Sequence, residues 1–176
     1  RRDEHQQKRF KPMIDQEKCW FCLQSKDVDK QLIITIGENF YLALAKGPVN
    51  DTHVLIIPIS HIQAIAHLND ELFQELEIFK KAVKKYYETL SLLPVFFERN
   101  YMTSHSTLNA VGIPKDIEWQ LKETLSDKSE EFNLTFETIP RISAPKDLPE
   151  KGAYFFVEWN NTESMITRSM KGFPIN

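Results

Sequence analysis

Thr52-His-Val-Leu-Ile-Ile-Pro-Ile-Ser-His61 is an apolar run with a histidine near each end. Residues 54–57 are aliphatic throughout, so the run reads as a strand covered on both faces. Pro58 has no N–H to give to a ladder, which puts the strand's end close to it. His61 follows where a rigid strand aims a side chain. Two other pieces are expected to face it, Cys19-Trp-Phe-Cys22 upstream and His105 downstream. The pattern predicts that these three pieces close around one metal ion.

Upstream of that strand, residues 31–36 and 40–45 are strand-like, and Gly37-Glu-Asn39 supplies turn chemistry between them, which predicts a hairpin. Downstream, Asn69 or Asp70 caps a helix running to about Leu90. Leu72, Phe73, Leu76, Phe79, Val83 and Tyr86 recur at three- and four-residue steps and form one apolar stripe. Lys80, Lys81, Lys84 and Lys85 lie largely off that stripe and read as a solvated face, with a phosphate patch as the alternative. Strands are predicted over 94–102 and 107–113, and a helix over 115–128 carrying Ile117, Leu121 and Leu125. Beyond it the pattern weakens, with strands at 134–139 and 153–159, a fainter one at 164–169, and a Pro- and charge-rich loop over 140–152. The expected fold is α+β: an antiparallel sheet of about five strands, the 69–90 helix packed on it, and a mixed C-terminal extension. The expected division is a polar arm or linker at 1–18, a main domain at 19–128 and an extension at 129–176.

At 176 residues one domain is the default. Twelve Phe, five Tyr and three Trp suffice to fill a core. A net charge of −3 leaves no global nucleic-acid footprint, so any RNA contact must be local. No apolar run reaches the ~18 residues of a membrane span, and no membrane partner is expected. No secretory signal is visible; the chain starts at Arg1 without a Met and reads as part of a longer protein. Residues 1–18 mix basic and acidic side chains without a period and read as solvated linker. Two cysteines two residues apart fit a reduced cytosolic or nuclear thiol pair better than a disulfide framework.

The whole ligand pattern is C-x2-C-x38-H-x43-H. Its separations are too long for a zinc finger, so the ligands must meet through the fold. Two thiolates and two imidazoles suit Zn2+ in a closed tetrahedral site and disfavour Mg or Ca. A redox CxxC would follow a strand and open a helix. Here a polar arm precedes it and Leu23-Gln-Ser-Lys-Asp27 follows.

Cys19-Trp-Phe-Cys22, the hairpin, the 52–61 run, the long helix and the segment around His105 resemble a histidine-triad (HIT) domain. Cys19-Trp-Phe-Cys-Leu23, Tyr41-Leu-Ala-Leu-Ala-Lys-Gly47, the 51–61 stretch and Phe97-Glu-Arg-Asn-Tyr101 resemble more closely the CwfJ-like (Cwf19-like) family. These are splicing-associated proteins with a HIT-like module near the C-terminus. Ala153-Tyr-Phe-Phe-Val-Glu158 and Gly172-Phe-Pro174 extend the resemblance, which spans 19–176 and leads into the family's second C-terminal segment. In zinc-bearing HIT proteins the ligands are the CxxC, the histidine after the strand and the first triad histidine. The resemblance carries these onto Cys19, Cys22, His61 and His105.

The departure lies in the triad, His-x-His-x-His in the family and His105-Ser-Thr107-Leu-Asn109 here. A nucleotidyl-imidazole intermediate needs an imidazole that attacks and later leaves. Thr107 stands at that position and is a far poorer nucleophile, so the resemblance implies a pseudoenzyme. The alternative is an active nucleotide hydrolase or phosphodiesterase with an unconventional nucleophile; a third reading is a docking domain with an empty pocket. Binding survives the loss, because Thr107 and Asn109 can hydrogen-bond phosphate or sugar. His53, Arg99 and Asn100 stand at strand ends that HIT domains point toward the nucleotide. Their plainer readings are a satisfied strand-end histidine, a salt bridge to Glu98 or a helix acid, and a turn former. Trp20, Phe21 and Tyr101 are stacking candidates or core. The resemblance further implies RNA of the branched intron lariat, spliceosome components and the lariat debranching enzyme as partners. It also implies a nuclear location and assistance to debranching or spliceosome disassembly.

Overall fold

The computed structural model describes residues 16–174. Of the arm expected over 1–18, residues 1–15 lie outside the described residues. The strands are β1 (Ile33–Ile36), β2 (Phe40–Leu44), β3 (Val54–Pro58), β4 (Leu92–Asn100), β5 (Leu108–Pro114), β6 (Glu137–Pro140), β7 (Tyr154–Glu158) and β8 (Glu163–Thr167). Among the described residues the α-helices are α1 (Asp70–Thr89) and α2 (Leu121–Glu131).

All eight strands form one antiparallel sheet in the order β1-β2-β3-β5-β4-β7-β8-β6. β3 sits inside it with every residue buried, as its aliphatic composition requires. Each aliphatic side chain so covered contributes about 1.5–3 kcal/mol. The expected count of about five strands holds only up to residue 128. The 129–176 segment adds three more, with β7 hydrogen-bonded along β4 from Phe96↔Glu158 to Asn100↔Tyr154. The nine-residue β4 has two edges, and β5 occupies only one.

The β1–β2 hairpin closes at Gly37, whose N–H donates to Phe40 O at 2.8 Å. Glu75 of α1 clamps the turn, accepting from Asn39 N at 2.9 Å and Asn39 Nδ2 at 2.7 Å. α1 opens on Asn69, whose Oδ1 accepts from Leu72 N at 2.8 Å. Its buried stripe is Phe73, Leu76, Lys80, Val83 and Tyr87. This corrects the sequence reading at two positions. Tyr86 is 54% exposed while Tyr87 is buried, because steps of three and four from Phe73 reach 87. Lys80 belongs to the stripe because Glu158 of β7 waits opposite and ion-pairs with it; Glu77 lies 2.9 Å from the same ammonium. Lys84 is half-buried beside it, and only Lys81 and Lys85 of the four lysines are exposed.

Tyr87 crosses to the sheet, donating from its hydroxyl to Thr52 O at 2.8 Å and Ala110 O at 3.0 Å. Gly112 of β5 permits that approach. A Cβ there would meet Leu92 Cδ1 at 2.8 Å and Tyr87 Cδ1 at 3.1 Å. The helix predicted over 115–128 begins as a 3-10 turn (Lys115–Gln120) and becomes α2. Leu121 and Leu125 pack against Val95, Val111 and Val157 on the face opposite α1. No described helix is long and apolar enough to cross a membrane.

Candidate metal centre and adjoining cavity

Four side chains from three places in the chain converge beside the end of β3. The ligating atoms of Cys19, Cys22, His61 and His105 all lie within 4.8 Å of one another. Cys22 Sγ stands 3.1 Å from His61 Nδ1 and 3.6 Å from His105 Nδ1, and Cys19 Sγ stands 3.4 Å from His105 Nδ1. A tetrahedral ion with sulfur at about 2.3 Å and nitrogen at about 2.0 Å has S···N edges of roughly 3.5 Å. The donor set and its spacing therefore fit a zinc-sized ion.

The surrounding hydrogen bonds favour the ligating forms. His105 Nε2 lies 2.8 Å from Pro58 O, so it carries the proton and leaves the Nδ1 lone pair facing the sulfurs. Burial, the strongest influence, pushes His105 down to about 4 and keeps the ring neutral. Burial and the neighbouring Cys19 push the Cys22 thiol up to about 11. A bound cation reverses that direction by pairing with the thiolate. The knuckle is tied down on its own side as well. Phe21 N donates to Cys19 Sγ at 3.5 Å, and Tyr41 OH donates to Phe21 O at 2.6 Å.

That knuckle forms one wall of a cavity of about 560 Å³, within the range of small-molecule sites. Trp20 and Phe21 line it from the knuckle, and Ala43 and Leu55 from the sheet. His53, Thr107 and Asn109 also line it, so three of the five expected nucleotide contacts meet there. His53 Nδ1 accepts from Val49 N at 3.1 Å, which leaves the proton on Nε2, 3.0 Å from Asn109 Oδ1. Asn109 Nδ2 donates to Thr107 O and Phe97 O. Burial lowers the pKa of His53. The pair is thus a neutral, internally satisfied shelf.

Arg99 and Asn100 do not line the cavity. Arg99 lies on β4 opposite Phe155, and its backbone O accepts from Thr103 Oγ1. Asn100 is buried and donates from Nδ2 to Gly152 O at 3.3 Å. Glu98 is not Arg99's salt-bridge partner either, because adjacent strand residues point to opposite faces. It is 1% exposed beneath the His105 loop. Its carboxylate accepts from Ser106 Oγ at 2.5 Å, Tyr154 OH at 2.6 Å and Ile65 N at 3.1 Å. Burial pushes Glu98 up to about 7 against those hydrogen bonds. The parity of Phe96, Glu98 and Asn100 on β4 was the available clue; aromatic residues at both 96 and 97 obscured it. Lys46, whose Nζ stands 5.8 Å over the Trp20 ring, carried no sequence signal.

Fold and site together define an α+β domain in which the knuckle carrying two members of a Cys2His2 cluster also lines a cavity of about 560 Å³. Residues 5–126 match the family described as "Protein similar to CwfJ C-terminal". The chain is 48% identical over 165 residues to CWF19-like protein 1 homolog of Drosophila melanogaster, covering 94% of this chain and 30% of that one. It is 36% identical over 160 residues to CWF19-like protein 1 of Homo sapiens, covering 89% and 30%. A rice (Oryza sativa subsp. japonica) "Zinc finger CCCH domain-containing protein 59" is 33% identical over 149 residues, covering 80% and 24%. The chain belongs to the CwfJ/Cwf19-like family. It spans about 30% of the length of the CWF19-like relatives it matches. Among solved structures, a HIT-like protein from Bartonella henselae is similar at 17% identity and a TM-score of 0.39, covering 57% of this chain and 82% of that one. At that TM-score it bears on nothing further.

Proposed function

We propose that this chain is a non-catalytic, zinc-bearing HIT-like module that binds a nucleotide of RNA in the cavity beside the Cys2His2 cluster. The observation that carries this reading is the shared wall: the same knuckle that offers two metal ligands lines a cavity ending in His53, Thr107 and Asn109. Zinc bound there supplies a structural cross-link. His53 and Asn109 hold each other's polar atoms, so the shelf is preset for a ligand. Among the described residues Thr107 has no free imidazole beside it to take its proton, since the Nε2–H of His53 is given to Asn109. Phosphoryl transfer through a histidine is therefore not available at that position. The cavity takes a base or sugar among apolar walls and leaves no activated nucleophile to cut it.

Within the longer protein, the family relationship supports a role in splicing, in the nucleus, with spliceosome components as partners. The RNA proposed is the branched intron lariat, and the assisted step is debranching or spliceosome disassembly alongside the lariat debranching enzyme. Fluorescence anisotropy at stated salt, comparing a branched with a linear oligonucleotide of the same composition, tests this. Tighter binding of the branched form, weakened by Thr107→Leu, is expected. Equal and steeply salt-sensitive binding of both would leave only nonspecific charge. Incubation with adenylylated lysine or a dinucleotide is expected to release no AMP; turnover lost in Thr107→Ala would restore the hydrolase reading.

A further inference from the structure

We propose that Trp20, held out by the metal knuckle, is a stacking platform for the base of a second nucleotide next to the one in the cavity. Lys46 meets that nucleotide's phosphate. The proposal rests on the nucleotide reading of the cavity and adds a contact outside it. Trp20 lies between Cys19 and Cys22, and the backbone on both sides of it is fastened. Cys19 is held toward His105 and Phe21 toward Tyr41. Yet its own side chain is 67% exposed while still lining the cavity, which puts the indole at the lip. Single exposed apolar residues are ordinary on surfaces. A rigidly based indole at a cavity mouth with an ammonium 5.8 Å over its ring is a more specific arrangement.

The chemistry of the rim selects a nucleic acid over a protein groove. The indole offers a π-face that any base can use, and the ammonium offers one phosphate contact. Asp27 and Asp29 also line the cavity. They repel phosphate but accept hydrogen bonds from ribose hydroxyls or exocyclic amines, which directs the phosphate toward Lys46. With a net charge of −3, the chain must draw its affinity here from stacking rather than from a basic field.

The experiment compares the zinc-loaded chain with Trp20→Ala, Trp20→Leu, Trp20→Phe and Lys46→Gln, each checked for unchanged metal content. The probes are AMP and a short single-stranded oligoribonucleotide. Trp20→Ala and Trp20→Leu are expected to weaken the oligonucleotide roughly tenfold and AMP by a clearly smaller factor, while Trp20→Phe retains most of the oligonucleotide affinity. Lys46→Gln is expected to reduce the log K against log salt slope by about 0.7. Equal oligonucleotide binding by wild type and Trp20→Ala, or Trp20→Leu binding as well as Trp20→Phe, overturns the platform while leaving the cavity reading intact. Binding that depends on Trp20 but ignores Thr107→Leu removes the cavity reading and keeps the platform. A wild-type chain that binds neither probe overturns both.

Discussion

His105 presents Nδ1 to the two sulfurs because its other nitrogen is already committed to Pro58 O. The proline that ends β3 thus orients a ligand more than forty residues away in sequence. The four ligands share one small volume, so each removal is expected to cost the whole site. Cys22→Ser leaves a hard hydroxyl where a soft thiolate is needed. Elemental analysis of the purified chain is expected to find one zinc per chain in the wild type and little in Cys22→Ser. Because structural zinc often supplies on the order of 10 kcal/mol of apparent binding free energy, the variant's Tm should drop sharply. An unchanged Tm would mean that the sulfurs pack without an ion.

Two buried carboxylates join elements rather than neighbouring residues. Glu158 of β7 receives Lys80 of α1, with Arg141 of the preceding loop reaching Glu77 on the same helix. Lys80→Met strands Glu158 without its cation and is expected to cost about 3–5 kcal/mol by urea unfolding. The double variant Lys80→Met/Glu158→Leu should recover most of that loss, since neither charge then remains buried. Glu98 ties β4 to Ser106 and to Tyr154 of β7. Its folded pKa of about 7 lies above the ordinary 4.5. Below 4.5 the group is protonated in both states and its contribution is whole. Between 4.5 and 7 the unfolded chain releases the proton first, so stability falls as pH rises. Above 7 the loss is complete, on the order of 3 kcal/mol. Relative to wild type, Glu98→Gln is therefore expected to gain stability between pH 5.5 and 8 with metal kept bound. A constant difference across that range would contradict the buried, proton-sensitive brace.

At the scale of the molecule, the main core draws on both sides of residue 128. Ile142, Leu148, Tyr154, Phe156 and Ile166 pack in one cluster with Phe40, Ile56, Leu76 and Phe96. β7 covers the outer edge of β4, which would otherwise present unpaired N–H and C=O groups to any passing strand. A chain ending at residue 128 is expected to lose cooperative thermal unfolding and its near-ultraviolet circular dichroism. It should also aggregate through that uncovered edge. A sharp melt and native-like aromatic signal from the shortened chain would show that β6–β8 are accessory.

Local pattern alone determined the buried strand, the hairpin, a helix cap at Asn69 or Asp70 and the four residues of the Cys2His2 cluster, and the structure chose Asn69. A fully aliphatic run, turn residues, an N-cap side chain and sulfur–imidazole chemistry are each decided within a few residues or by ligand type. Tertiary structure decided that residues 129–174 continue the sheet, that Lys80 faces inward, and that Glu98 braces the His105 loop through Ser106 instead of pairing with Arg99. It also decided that Asn100 pins a loop and that Trp20 and Lys46 meet at the cavity's lip. In each of these the outcome depends on a partner more than twenty residues distant in sequence, as with Lys80 and Glu158 or Glu98 and Tyr154. A buried charge is tolerable only if such a partner arrives, and no window along the chain contains that information.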